Sequence, residues 1–279
     1  MQKKRILALI DGYNYYHKIN TFFETFQKPV KWINYRFLLN SILNSESDDI
    51  ENASIFYFSA ISTSAGEKSI IKHLTFIEAL KTVNIDITLG KFKIKDIPKC
   101  REKERCSACR NITDDNDRYL RRHEEKETDV NIAIKLIEAT LLDQYDKCFL
   151  FSGDGDFVPA VKRALFLKPE KKIIIVPPPP CTTEKDIPQS RYACTELIEA
   201  SKNKAFLINF DKIEKSQFPN EINSAWEIDY TFKEENSKNK KNIKKSYNSI
   251  INPWQLQPEA DKKLLEQKLK LLNGNTSIR

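Results

Sequence analysis

No apolar run in this chain approaches the roughly 18 residues of a membrane span. None makes a secretory leader either: Ile6–Ile10 follows Lys3, Lys4 and Arg5 but stops after five residues at Asp11. The reading is a cytoplasmic protein with no membrane segment. No GxGxxG follows the first apolar run, and GxxxxGK[ST] occurs nowhere, so neither a dinucleotide cradle nor a P-loop is supported. No serine sits in a nucleophile elbow: in Gly153-Asp154-Gly155 an acid stands where the serine would be. Six cysteines in a reducing compartment argue against a disulfide framework and for metal binding or plain burial.

What is present suits a soluble α/β protein. Of the 279 residues, 40% are apolar and 30% charged, enough for a real core in one large domain or two small ones. The net charge of +7 favours an anionic partner such as nucleic acid, or reflects a lysine-rich proteome.

The chain is organised around Phe149-Leu150-Phe151-Ser152-Gly153-Asp154-Gly155-Asp156. An apolar run ends in two carboxylates, and a helical pattern resumes at Val161, Ala164 and Leu165. This reads as a buried strand, a turn and a helix. Open α/β sheets place their ligand crevice at such a carboxyl end. Either acid could equally cap the helix. Ile6–Ile10 repeats the pattern, ending in Asp11-Gly12-Tyr13-Asn14. The aromatic stretch from Tyr13 to Phe26 is core, or a surface on which bases stack. Thr128 reads as the cap of a helix running through Val130, Ile134, Leu136, Ile137 and Leu141, with Asp129 in its first turn.

Further strands are expected over 53–58, 84–89, 171–176 and 205–210, and helices over 32–43, 67–81 and 193–200. Residues 91–97 read as an edge strand or hairpin arm, because lysines blunt edges. Strands and helices alternate, which implies a mostly parallel sheet with helices on both faces. Four prolines, Pro177–Pro180, make a stiff surface loop. Residues 223–279 read as a lysine-rich, flexible, basic extension with a short terminal helix. That extension either solubilises the chain or holds nucleic acid.

Clustered carboxylates repel unless a cation neutralises them. Hard oxygens suit Mg²⁺ or Mn²⁺, and phosphodiester hydrolysis is the reaction that best uses acids without a protein nucleophile. Separately, Cys100, Cys106, Cys109 and His123 offer thiolates and an imidazole to a tetrahedral zinc, or are incidental to an exposed loop.

These motifs resemble a known family. Leu9-Ile10-Asp11-Gly12-Tyr13-Asn14, Glu125-Lys126-Glu127-Thr128-Asp129-Val130-Asn131 and Ser152-Gly153-Asp154-Gly155-Asp156-Phe157 are similar, in family order, to the motifs of NYN domains. These are PIN-like nucleases, and the likeness is to their LabA/DUF88 branch. The resemblance implies a PIN-like three-layer α/β/α fold over residues 1–222 and a metal-dependent ribonuclease site. It implies that Asp11, Asp129 and Asp154 hold Mg²⁺ or Mn²⁺ and that Asp156 is a further acid. Asn14 and Ser152 would orient water or substrate by hydrogen bonds. It also implies a structural zinc site within an insertion at about 98–124. RNA is the expected partner, and a homodimer is left open. A non-catalytic RNA-binding or scaffold protein on the same fold is the alternative.

Overall fold

Ile6, Ala8 and Ile10 point to one face of strand β1 (Ile6–Asp11), Leu7 and Leu9 to the other, and all five are buried. Burying each of the larger side chains on both faces contributes about 1.5–3 kcal/mol. That two-sided burial requires a central strand covered from above and below. The computed structural model describes residues 2–28, 30–62, 66–98, 119–180, 193–233 and 240–254, with the side chains of 94–98, 119–123 and 233 outside the description.

After β1 come α1 (Gly12–Phe26), α2 (Tyr35–Asn40), β2 (Ser54–Ser59), α3 (Gly66–Lys81), β3 (Asp86–Leu89), β4 (Lys91–Pro98) and β5 (Tyr119–Lys126). Next are α4 (Thr128–Leu141), β6 (Lys147–Phe151), α5 (Val158–Leu167), β7 (Lys172–Ile175), α6 (Thr195–Ala200) and α7 (Phe210–Lys215). The described chain closes with β8 (Glu221–Ile222), β9 (Trp226–Lys233), β10 (Lys240–Tyr247) and β11 (Ile250–Ile251).

Five strands form one parallel sheet in the order β3-β2-β1-β6-β7. Ile6, Ala8 and Ile10 join a core with residues of α1, α2 and α3, while Leu7 and Leu9 join a second core with α4, α5 and α6. The result is the expected α/β/α arrangement. At the amino ends of the strands, the Arg5 guanidinium donates to Asp146 at 2.9 Å, and buried Asp48 pairs with Lys147. These pairs tie down one rim and leave the carboxyl rim to the site.

Several expectations need correction. Residues 205–210 form no strand: Ala205 makes a single parallel bridge to Ile175, and Phe210 begins α7, where it stacks on Phe22 with ring centroids 3.4 Å apart. In α4 the buried residues are Thr128, Ile132, Leu136, Ala139 and Thr140. Val130, Ile134 and Leu141 lie on the opposite, exposed side, so the apolar pattern ran around the helix rather than down one stripe. By contrast, residues 91–98 are a strand as expected, the arm of a separate antiparallel ribbon with 119–126.

Residues 226–233 and 240–247 also differ from the expected flexible extension. β9 and β10 pair antiparallel, and Trp226, Ile228, Phe232 and Ile243 enter the main core. The cause is a period-two pattern in which every second residue of β9 faces inward. The expected terminal helix falls outside the described residues.

Candidate functional site at the carboxyl rim

The chain leaves β1 for β2 on one side of the sheet, while β6 lies on the other, so the strand order reverses between β1 and β6. Crevices open at such switch points beyond the carboxyl ends of the strands. Asp11 ends β1 and Ser152-Gly153-Asp154 follows β6, so both motifs meet there.

Asp11 is buried and both its oxygens are engaged. Oδ1 accepts the Asn14 N–H at 2.9 Å, capping α1, and Oδ2 accepts the Ser152 hydroxyl at 2.9 Å. The Asn14 side-chain carbonyl accepts the Gly153 N–H at 3.2 Å, and the Asp154 N–H donates to Ser152 Oγ at 3.1 Å. Asn14 and Ser152 therefore stitch the two motifs together across the switch point.

Asp154 caps the 3-10 turn Gly155–Phe157, its Oδ1 accepting the Asp156 N–H at 3.0 Å. A capping carboxylate keeps unused lone pairs, since two oxygens offer about four acceptor sites. Capping and metal ligation are thus compatible for Asp11 and Asp154 alike. Asp156 is exposed and sits inside the turn rather than capping it.

Asp129 arrives from the ribbon. Glu127 takes a left-handed conformation, φ 78°, and occupies the cap position of α4 without a side-chain cap. The expected cap, Thr128, is the first helical residue instead; its N–H donates to Glu125 Oε1 at 3.2 Å. Its buried hydroxyl has no partner among the described residues. Asp129 follows, half-buried, in the first turn. Glu125 belongs to the quoted middle motif, yet only the fold reveals it as the group that holds this helix start.

Two of the acids are perturbed. Burial, then the charges of Asp129 and Asp154, push the Asp11 pKa up to about 7, against the opposing hydrogen bonds from Asn14 and Ser152. Burial, then Glu125, Asp154 and Asp156, push Asp129 up to about 6. Crowded carboxylates with raised pKa values form a site that a cation would relieve. The donors at Asp11, Asp129, Asp154 and Asp156 are all oxygens, which fits Mg²⁺ or Mn²⁺. Among the described residues, no three His, Cys, Asp or Glu side chains are close enough to enclose one ion as they stand. The carboxylates are neighbours through charge, and a cation would have to draw them in.

Cys100, Cys106 and Cys109 lie outside the described residues. His123 sits on β5 opposite Ile94, its side chain likewise outside. The aromatic stretch divides: Tyr15, Ile19 and Phe22 are core, while Tyr16 is exposed. The Tyr15 hydroxyl donates to the Val176 carbonyl at 2.6 Å. Among the described residues no helix is long and apolar enough to cross a membrane.

No curated protein shows significant similarity. A crystal structure of a protein of unknown function from Vibrio parahaemolyticus superposes with a TM-score of 0.44 at 19% identity, over 76% of this chain and 98% of that one. That likeness is too loose to bear on function. The NYN domain profile matches residues 5–201, which include all three acidic motifs. The carboxylates gathered at the rim of a parallel sheet and this match agree: the chain belongs to the NYN domain family, of the PIN-like nucleases.

Proposed function

We propose that the chain is a metal-dependent endoribonuclease that hydrolyses RNA phosphodiester bonds, with Mg²⁺ or Mn²⁺ held by Asp11, Asp129 and Asp154. The reading is supported by the placement of these acids at one rim, where the Ser152 hydroxyl ties the end of β1 to the turn after β6 and Asp129 opens α4 beside them. When bound, the cation polarises the phosphodiester and lowers the pKa of a water molecule.

The chain's own residues orient and tune. Ser152 fixes the rotamer of Asp11 and, as a donor, favours its ionised form. Asn14 has its carbonyl held by Gly153, which leaves its amide nitrogen to donate to substrate. Asp156, exposed at the same rim, is the further acid and a candidate second ligand. The reading includes a cytoplasmic location and a structural zinc at Cys100, Cys106, Cys109 and His123.

The alternative is a non-catalytic RNA-binding or scaffold protein. It draws on the open spacing of the carboxylates, of which no three enclose an ion. Incubation with end-labelled RNA and DNA oligonucleotides, in Mg²⁺ or Mn²⁺ and in EDTA, separates the readings. Internal cleavage of RNA that EDTA abolishes supports the nuclease. RNA binding without turnover in either metal supports the alternative, and preferred cleavage of DNA overturns the ribonuclease assignment.

A further inference from the structure

One residue beyond Asp11 the chain turns into a second concavity. Gly12 lines a cavity of about 380 Å³, and its Cα is one peptide step, about 3.8 Å, from that of Asp11. The volume lies at the small end of the range for ligand pockets, about 300–1,000 Å³, and suits one nucleotide rather than a stack.

The lining separates into three chemistries. Aromatic rings come from distant elements: Tyr16 of α1, Phe92 of β4 and Trp254 near the end of the described chain. Phe92 meets the Tyr13 ring edge-on at 6.0 Å, and Trp254 is braced edge-on against Phe76 at 5.8 Å. Tyr16 is 46% exposed, with Lys31 Nζ 5.9 Å from its ring centroid.

Small neutral hydrogen-bonding groups lie deeper. Ser59 Oγ is 3.3 Å from His73 Nε2, and burial pushes the His73 pKa down to about 4. Beyond that contact the neutral imidazole keeps its second ring nitrogen, a donor or an acceptor according to tautomer, for the edge of a nucleobase.

Cations complete the wall. Lys31 and Lys72 both line the cavity; burial lowers the Lys31 pKa to about 8, the charge of Glu24 opposes the shift, and the charge of Lys72 adds to it. Lys31 donates to Asn20 Oδ1 at 2.6 Å, and the Asn20 amide in turn donates to Glu24 at 2.8 Å, so the nearest acid is held one residue away from the ammonium. Two ammonium groups that line one cavity and form no direct ion pair among the described residues can receive an anion between them. Flat rings, neutral edge-readers and paired cations together are how single-stranded nucleic acid is held.

We propose that this cavity takes one splayed-out nucleotide of a single-stranded RNA, its base among Tyr16, Phe92 and Trp254 and its phosphate at Lys31 and Lys72. The proposal rests on the ribonuclease reading for the identity of the polymer. It makes the enzyme selective for unpaired RNA and sensitive to base identity at one position beside the cleaved bond.

The test uses the full chain in EDTA, so that binding is read without turnover. Fluorescence anisotropy with a labelled single-stranded RNA, the matching duplex and each of the four nucleoside 5′-monophosphates as competitors gives the affinities. The single strand should bind at least tenfold tighter than the duplex, and one monophosphate should compete best. Tyr16→Ala and Lys72→Ala, both at exposed positions, should each weaken the single strand about tenfold with unchanged circular dichroism. Wild-type affinity in both variants, or equal binding of single strand and duplex, overturns the proposal. If the variants lose affinity while no metal supports cleavage, the cavity stands and the nuclease reading falls. If metal-dependent cleavage persists and the variants bind as wild type, the cavity falls alone.

Discussion

The Ser152 hydroxyl donates to Asp11 Oδ2 at 2.9 Å, joining residues 141 positions apart in the chain. That bond spans the switch point and connects the ends of the two central strands that carry acids. It also favours the charged form of a buried carboxylate, which burial and neighbouring charge disfavour.

Ser152→Ala should therefore act through Asp11. Hydrogen bonds to charged groups contribute about 1.5–3 kcal/mol, or roughly 1–2 pH units at 1.36 kcal/mol per unit. The acid limb of the pH–rate profile should move to higher pH by about one unit, with activity partly recovered at pH 9. An unmoved limb would show that Ser152 does not tune Asp11.

The raised pKa values have a thermodynamic consequence in metal-free protein. Asp11 and Asp129 titrate in the folded chain at about 7 and 6, against an ordinary value of 3.8. The stability tied to their bound protons is full below about pH 4 and lost as pH rises through 6 to 7. His17 and His73 are shifted down, so their contribution runs the other way over the same range. The informative quantity is the difference between wild type and Asp11→Asn. In EDTA, Asp11→Asn should gain about 2 kcal/mol on wild type between pH 5.5 and 8, measured by urea unfolding. A pH-independent difference would contradict the raised Asp11 pKa.

Glu127 holds a left-handed backbone, φ 78°, immediately before Thr128 and Asp129. For an L-residue that conformation costs about 1–2 kcal/mol, part of which glycine recovers after its own entropic cost. Glu127→Gly should stabilise the chain by about 0.5–1 kcal/mol in urea unfolding. Destabilisation beyond 1 kcal/mol would instead assign the main role to the Glu127 side chain, whose partner is Lys91 at 3.1 Å.

Metal analysis of protein purified without chelator should find about one equivalent of zinc. Cys106→Ser together with Cys109→Ser should remove it without removing the need for Mg²⁺ or Mn²⁺. Less than about a tenth of an equivalent in wild type would leave the tetrahedral set of thiolates and imidazole unsupported.

Much of this architecture is legible locally. The runs ending at Asp11 and Asp154 announce buried strands because five or so consecutive apolar residues followed by a turn have few other uses. The helix after Thr128 is legible as a helix, but its buried stripe is not, since apolar residues lie on both of its sides. The hairpin of β9 and β10 hides in its lysines: average polarity masks the alternation of Trp226, Ile228, Tyr230 and Phe232. The pairing of 91–98 with 119–126 depends on a partner distant in sequence, which composition does not encode. The cavity beside Gly12 is the extreme case, drawing its walls from residues 12 to 254. Asp154 illustrates a different limit, because cap and ligand pose as rivals in the sequence while the folded carboxylate has oxygens for both.

The central claim is that the three carboxylates act together to cleave RNA. Its most direct measurement is the single-turnover cleavage rate of an end-labelled single-stranded RNA in Mn²⁺, for wild type and for Asp154→Asn. The substitution keeps the size of the side chain and an oxygen able to cap the 3-10 turn, and removes only the charge. The account predicts internal cleavage by wild type and a loss of at least about a hundredfold, or about 2.7 kcal/mol of barrier, in a variant with wild-type circular dichroism. Cleavage by Asp154→Asn at the wild-type rate would contradict it.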